Sequence, residues 1–470
     1  MKKRILKEDP VSKSVSKEVQ AQPEHFRRMN LYAAGIDVGA TSHFVAVPKN
    51  CSDKPVREFK SFTQDLFALA DWLQECGVKS VAMESTGVFW IPLYELLEQR
   101  GFEVKLVDAR QVKHLPGRNK TDVMDCQWIQ ELHSFGLLSA AFRPSEQICE
   151  LRTYIRQRST LIQDSSRQML HMQKALTQMN LKLQHVVSDI TGVTGMKIIR
   201  SIVHGERDPK VLADYRDPRC KQSLSTIEAS LVGNYRSEHL FSLKQALEIY
   251  DFYADKIEAC DQAIEKKLLE FSDSAMQVAE KDKDAPVTKR KKPSKNTPHF
   301  DLSAQMIRIT GVDLSEVPGI SSLTTLSLIG EIGLNMTRWE NADHFASWLG
   351  LSPGNKVSGG KRLSGKTKPC ANRAATALRM AASTLHHSQT ALGAYLRRLK
   401  SRLGSPKAIT ATAHKLAKII YHMLRFGTHF KEAGQEYYEQ QYRERVLRNL
   451  KQKAASLGFD LIAKEGVAIA

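Results

Sequence analysis

The sequence has 470 residues, of which 42% are hydrophobic and 26% are charged, and its formal net charge is +18 with a pI near 9.5. These values are ordinary for a globular protein of two or three domains, and the positive charge favours a polyanionic partner such as nucleic acid. No apolar stretch is long enough to span a bilayer and the N-terminus has no apolar signal core, which predicts a cytoplasmic protein. The seven cysteines include no CxxC pair, which argues against a zinc site and against a disulfide framework.

The first third of the chain has the pattern of an α/β domain. Residues 1–30 are charged and weakly hydrophobic, which predicts a disordered basic arm. The next segment, LYAAGIDVGATSHFVAVP, is apolar apart from Asp37 and predicts two antiparallel strands joined at Gly39–Ser42. A helix, a short strand that presents Glu84, a second helix and a further strand follow. This alternation predicts a mixed sheet with helices on its faces within residues 31–145.

Four carboxylates in this region are candidates for a metal site. Asp37 and Glu84 belong to apolar strands, where an isolated buried charge costs several kcal/mol unless it is paired or metal-bound. Asp122 and Asp125 follow the predicted N-cap Thr121 and share one helix face. Gathered at one edge of the sheet, the four would suit two Mg²⁺ ions and phosphodiester chemistry. In the alternative interpretation, each acid caps a helix or pairs with a nearby Lys or Arg.

Residues 146–278 change to a helical period. Apolar residues repeat at steps of three, four or seven in two segments, 151–183 and 240–271. This pattern predicts two long helices in an antiparallel coiled-coil arm, joined by a Gly- and Pro-punctuated connection at 192–218. An all-helical core element is the alternative.

The last third of the chain begins after a segment rich in charge and proline, residues 279–300, which predicts a linker. Residues 301–431 predict a mainly helical C-terminal domain, and residues 432–470 predict a charged helix followed by a tail.

The positive charge is concentrated between His344 and Lys431, where there are 16 Lys and Arg residues and no Asp or Glu. A Gly/Ser/Lys loop, NKVSGGKRLSGKT, lies inside this stretch at residues 355–367. Its glycines would let a phosphate approach the backbone, and its cations would neutralise the phosphate charge. The predicted nucleic-acid contacts are Arg152 and Arg156 in the helical region and Lys356, Lys361, Arg362, Lys366, Lys368 and Arg373 in or next to the loop.

Two serines of this loop, Ser358 and Ser364, are each followed by glycine. Either serine could line a phosphate-binding surface or act as a nucleophile. A serine hydroxyl is a weak nucleophile without a base or metal, and no triad-like base is visible, so the residue types alone favour phosphate binding.

Several motifs resemble a known family. GIDVGATSHFVAV, AMESTGVFW and KTDVMDCQWIQ resemble the Asp, Glu and paired-Asp motifs of a RuvC-like nuclease domain with the ribonuclease-H fold. DITGVTGMKIIRSIVHGERDP and SLVGNYRSEHLFSLKQALEIYDFY resemble the middle region of transposases of the insertion sequence 110 family, including its 1111 group. VPGISSLTTLSLIGEIG and WLGLSPGNKVSGGKRLSGKT resemble the C-terminal domain of that family, so the resemblance extends from about Leu31 to Arg425.

The resemblance implies a fold of class α/β plus α, with a RuvC-like domain, a coiled-coil helical arm and a mainly helical C-terminal transposase domain. It implies that Asp37, Glu84, Asp122 and Asp125 bind Mg²⁺, and that Ser358 attacks DNA and holds it as a covalent phosphoserine. It also implies a recombinase of donor and target DNA that is guided by a structured non-coding RNA and acts as a homodimer or homotetramer. Such a protein would associate with the bacterial nucleoid when bound to DNA.

Two other functions are compatible with the same residues. In a metal-only nuclease or junction resolvase, water attacks the DNA and Ser358 only binds phosphate. In a non-catalytic protein that binds nucleic acid, neither site performs chemistry. A cluster of acids argues against this last function, because a simple polyanion binder would avoid carboxylates near its ligand.

Overall fold

A computed structural model of the chain describes residues 28–85, 87–108, 121–274 and 296–462. The chain divides into two compact units, Met1–Arg143 and Pro144–Ala470. Most of the predicted arm at 1–30 and of the predicted linker at 279–300 lies outside the described residues, as do the last eight residues and the side chain of Arg362. The finer domain boundaries inferred from the sequence therefore stay predictions.

The first unit contains a mixed sheet, as the sequence predicted, with five strands where the sequence predicted four. Its described elements are β1 (Ala33–Val38), β2 (Ser42–Ala46), β3 (Val56–Lys60), α1 (Thr63–Glu75), β4 (Ser80–Glu84), α2 (Trp90–Gln99), β5 (Glu103–Val107) and α3 (Asp122–Ser134). The strand order is β3-β2-β1-β4-β5. The first three strands form an antiparallel meander, and β4 and β5 extend the sheet in parallel to β1.

The hairpin between β1 and β2 is confirmed. The amide of Gly39 donates to the carbonyl of Ser42 at 3.1 Å, which closes the turn at the predicted position. The sequence did not predict β3, because the charged segment VREFK has no clear apolar alternation. In the structure this strand is only partly buried.

The two faces of the sheet carry different helices. Ile36 and Met83 belong to a buried cluster with the apolar stripes of α1 and α2. Ala82, on the opposite face, packs with Ile129 of α3 in a smaller cluster. Since side chains alternate along a strand, β1 and β4 each present every second residue to α3.

The described part of the second unit is helical apart from one hairpin. Its elements are α4 (Glu146–Gln178), α5 (Leu183–Val186), α6 (Val193–Val203), α7 (Pro209–Ala213), α8 (Leu224–Ser230), α9 (Ser237–Leu269), α10 (Leu302–Thr310), α11 (Ser322–Ile332), α12 (Ala342–Trp348), β6 (Lys356–Ser358), β7 (Lys361–Ser364), α13 (Arg373–Thr384), α14 (Ala391–Leu403), α15 (Ser405–Phe426) and α16 (Gln435–Ser456).

The two long helices predicted from the sequence, α4 and α9, pack along each other. Glu150 near the start of α4 pairs with Lys267 near the end of α9, so the helices run in opposite directions. Arg158 of α4 and Asp261 of α9 form an ion pair with both side chains buried. The predicted apolar seam is buried at both ends of the helix pair and partly buried in its middle, at Ile162 and Ile257. Supercoiling of the pair stays a prediction.

The predicted connection at 192–218 lies between the two long helices and contains the short helices α6 and α7, which the sequence did not predict. Ile198, Ile199 and Leu212 are fully buried in a cluster with the C-terminal end of α4 and the N-terminal end of α9. The glycine and proline that suggested a loop occupy helix starts instead: Gly192 is the N-cap of α6 and Pro209 is the first residue of α7. Among the described residues, no helix is both long and apolar enough to cross a bilayer.

Candidate active site

Two of the four predicted carboxylates come from neighbouring parallel strands. β1 and β4 are paired with Ile36 opposite Met83, and Asp37 and Glu84 are the next residue of each strand. Ile36 and Met83 face α1 and α2, so Asp37 and Glu84 face the opposite side of the sheet, where α3 packs. Glu84 is buried and Asp37 is half-buried.

The other two carboxylates lie in the first turn of α3. Thr121 is its N-cap, as predicted, and its hydroxyl accepts a hydrogen bond from the amide of Met124 at 3.3 Å. Asp122 and Asp125 follow directly. Acidic side chains are favoured at a helix N-terminus because they face the positive end of the helix dipole.

The buried thiol of Cys126 is affected electrostatically by one carboxylate of each pair. Burial is the main cause that raises its pKa to about 12, and the negative charges of Asp37 and Asp122 raise it further. Asp37 on β1 and Asp122 on α3 therefore both lie within electrostatic reach of one buried atom. The fold brings carboxylates from three elements to one face and one edge of the sheet.

These residues have the chemistry of a magnesium site. The set is made only of carboxylate oxygens, which are the ligands that Mg²⁺ prefers. Within the described ranges, no three His, Cys, Asp or Glu side chains stand close enough together to hold a metal ion. The fold therefore gathers the predicted ligands on a shared face without arranging their side chains into a closed ligand shell.

The Gly/Ser/Lys loop predicted from the sequence is a β-hairpin in the structure, and its two strands were not predicted. β6 and β7 are antiparallel and are joined by Gly359 and Gly360, whose φ angles are +55° and +74°. Positive φ at both central residues is the conformation of the tight turns that match the twist of a hairpin, and glycine adopts it without steric cost. The Gly-Gly pair is the signal from which the hairpin could have been predicted.

The two candidate serines differ in their surroundings. Ser358 is exposed and lies directly opposite Lys361 in the hairpin. Among the described residues its hydroxyl has no hydrogen-bond partner. Ser364 is half-buried, and its hydroxyl accepts a hydrogen bond from the amide of Lys366 at 3.2 Å. Ser358 is thus the more accessible of the two.

The predicted cations around the hairpin are accessible. Lys356, Lys361, Lys366, Lys368 and Arg373 are all exposed. In the described part of the chain they form no ion pair, so their charge is available to a phosphate backbone. Arg362 lies opposite Val357 in the hairpin register.

The two predicted cations of the long helix have contacts within the second unit. Arg152 donates to the carbonyls of Gly330 and Glu331 at 2.7 and 3.1 Å, near the end of α11. Arg156 forms a two-pronged ion pair with the Glu331 carboxylate at 3.0 and 2.8 Å. These contacts indicate a structural role for both arginines in holding α11 against α4, and contact with nucleic acid stays a prediction for them.

Two comparisons with known proteins bear on these sites. Residues 34–181 match the family model DEDD_Tnp_IS110, described as a transposase. Residues 313–397 match the model described as transposase of the IS116/IS110/IS902 family. No curated protein matches the chain. The first model spans all four carboxylates, and the second spans the hairpin with both serines.

Proposed function

The chain belongs to the IS110 family of transposases, enzymes that cut and rejoin DNA, and from this premise we propose that its chemistry uses the four carboxylates of the first unit together with Ser358. The observation that supports the proposal is that Asp37 and Glu84 face the side of the sheet on which α3 packs, and that α3 carries Asp122 and Asp125 in its first turn. The strand order, an antiparallel meander extended by two parallel strands, supports a RuvC-like assignment of this unit.

In this proposal the four carboxylates hold Mg²⁺. When bound, Mg²⁺ would neutralise charge on the scissile phosphate and favour the ionised form of the attacking oxygen. The sheet fixes the backbone of Asp37 and Glu84, and the capped start of α3 fixes the backbone of Asp122 and Asp125. Ligands on rigid elements are held in place before the substrate arrives, which lowers the cost of ordering them.

Ser358 is the proposed nucleophile. Its Oγ forms a bond to phosphorus while the bond from phosphorus to the leaving deoxyribose oxygen breaks, and that oxygen takes up the proton that the serine loses. One phosphodiester replaces another, so the bond energy is kept and the strand can be rejoined to a different DNA end by the reverse reaction. Lys361, opposite Ser358 in the hairpin, can neutralise a phosphate bound there.

The partners are donor DNA, target DNA and a structured guide RNA. The exposed cations of the hairpin support binding to a phosphate backbone, and the guide RNA rests on the family resemblance. RNA that copurifies with the protein should map to non-coding DNA beside its own gene and contain segments complementary to the insertion site. Copurified RNA without such segments would contradict RNA guidance.

The protein is also proposed to act as a homodimer or homotetramer. This part rests on the family resemblance. The ends of the apolar seam of the two long helices are buried within the chain, whereas Ile162, Met169 and Ile257 in its middle are only partly buried. Sedimentation equilibrium with and without DNA would measure the stoichiometry, and a monomer in the active DNA complex would contradict the proposal.

Covalent trapping separates this function from a metal-only nuclease. A labelled DNA duplex with the element's end is incubated with the wild type, with Ser358→Ala and with Ser364→Ala, and denatured samples are separated on a gel. We expect a covalent protein–DNA band for the wild type and for Ser364→Ala, and none for Ser358→Ala. Full cleavage by Ser358→Ala would indicate attack by water, and full activity of Asp37→Asn would remove the carboxylates from the mechanism.

A further inference from the structure

The contact between β1 and α3 is closest at Gly35. A Cβ atom at this position would lie 2.2 Å from the backbone nitrogen of Gln130, 2.5 Å from the carbonyl oxygen of Cys126 and 2.7 Å from the Cα of Gln130. All three atoms belong to the backbone of α3, so no side-chain movement can relieve the overlap. The φ angle of Gly35 is not positive, and glycine is required here for space.

This contact joins the two elements that carry Asp37, Asp122 and Asp125. Gly35 precedes Asp37 by two residues on the same strand and therefore faces the same side of the sheet. Cys126 follows Asp125 directly in α3. The side chain of Gln130 donates to the carbonyl of Ala33 at 3.2 Å and ties the same part of the helix to the same strand.

We propose that Gly35 is a positioning residue that sets the distance between Asp37 and the two carboxylates of α3, and so determines how well the set binds a divalent cation. The inference rests on the proposed function of these carboxylates. A methyl group at residue 35 needs roughly 1 Å of additional space between strand and helix, since carbon and backbone atoms approach no closer than about 3.5 Å without repulsion. Mg²⁺ requires its oxygen ligands at about 2.0–2.1 Å in a near-ideal octahedron, so a shift of that size separates ligands that must act together.

The test measures metal binding by the full-length protein without DNA. Free Mn²⁺ is followed by electron paramagnetic resonance during titration of the wild type, Gly35→Ala and Asp37→Asn. We expect Gly35→Ala to weaken Mn²⁺ binding by about 10-fold or more, as for other residues that orient metal ligands. Circular dichroism reports whether each variant is folded.

Gly195→Ala is the matched control. A Cβ atom there would lie 2.2 Å from the carbonyl oxygen of Ile190, an overlap of the same size in the helical second unit. It should lower the melting temperature while leaving the Mn²⁺ affinity at the wild-type value. Should Gly35→Ala fail to fold, Gln130→Ala removes the tie to Ala33 together with a hydrogen bond to the Ser134 hydroxyl at 2.9 Å within α3. It should still weaken Mn²⁺ binding by about 10-fold, the lower end of such effects.

The outcomes separate this inference from the proposed function. If the wild type binds Mn²⁺, Asp37→Asn does not, and a folded Gly35→Ala or Gln130→Ala binds as tightly as the wild type, the positioning role is wrong and the metal site stands. If the wild type and Asp37→Asn bind Mn²⁺ equally, the carboxylates are not the metal site, and the proposed function and this inference both fail.

Discussion

The buried ion pair between α4 and α9 gives a quantitative test of how the second unit is held together. The side chains of Arg158 and Asp261 are only 7% and 8% exposed. Arg158 donates through Nη2 to a carboxylate oxygen of Asp261 at 3.1 Å and to the carbonyl of Asn296 at 2.8 Å. Met at position 158 keeps an unbranched apolar side chain like the aliphatic part of Arg158, but it leaves the buried Asp261 carboxylate without a cation.

Removing one partner of a buried ion pair costs about 3–5 kcal/mol, because the remaining charge keeps its desolvation penalty. We expect Arg158→Met to lower the free energy of unfolding by this amount, measured by urea titration of the ellipticity at 222 nm. The double variant Arg158→Met/Asp261→Leu should recover most of the loss, since a buried pair replaced by apolar residues is often neutral.

The control is the exposed ion pair between Arg200 and Asp251, whose side chains are 51% and 44% exposed. Arg200→Met should cost less than about 1 kcal/mol, as is usual for surface pairs. Equal losses for Arg158→Met and Arg200→Met would refute the reasoning, as would a double variant less stable than Arg158→Met.

Three further predictions concern pH, charge and the hairpin. Burial lowers the pKa of His133 from 6.5 to about 4, so the neutral ring stabilises the fold above pH 6.5. As the pH falls from 6.5 to 4, up to about 3 kcal/mol of the free energy of unfolding is lost. His133→Gln should flatten this part of the plot of unfolding free energy against pH. Lys361→Ala should reduce the slope of log binding constant for DNA against log salt concentration by about one, at an unchanged melting temperature. Arg152→Ala should keep this slope but lower the melting temperature, because the carbonyls of Gly330 and Glu331 lose their donor. Gly360→Ala places a Cβ at φ +74° and should make the amides of β6 and β7 exchange about fivefold faster, whereas Gly360→Asn should have little effect.

Local sequence signals were sufficient for the elements that carry the carboxylates. The apolar strands around Asp37 and Glu84 and the capped start of the helix after Thr121 were predicted at their observed positions. Their convergence follows from the alternation of strand side chains and from the packing of α3 on one face of the sheet. The space requirement at Gly35 was not predicted, because a glycine in a strand does not by itself identify the helix that packs on it.

Features that depend on distant residues were missed. Arg152 and Arg156 of α4 were predicted to contact nucleic acid. Their neighbour Arg158 is buried and pairs with Asp261, about a hundred positions later. Glu331 engages Arg156 in the same way. Within the C-terminal domain, which was predicted to be mainly helical, α14 was not predicted as a separate helix, although ALGAYLRRLKSRL has a helical apolar stripe and Thr390 caps its start. Long-range ion pairs leave no signal in a local window of sequence.

The central claim is that Ser358 attacks DNA with the help of the carboxylates of the first unit. The most direct measurement is tandem mass spectrometry of protein incubated with Mg²⁺ and a nicked DNA substrate whose cleaved end diffuses away, followed by digestion with protease and nuclease. We expect a nucleotide joined through phosphate to Ser358 in the wild type and no such adduct in Asp37→Asn. Cleaved DNA without a protein adduct, or an adduct on a residue other than Ser358, would contradict it.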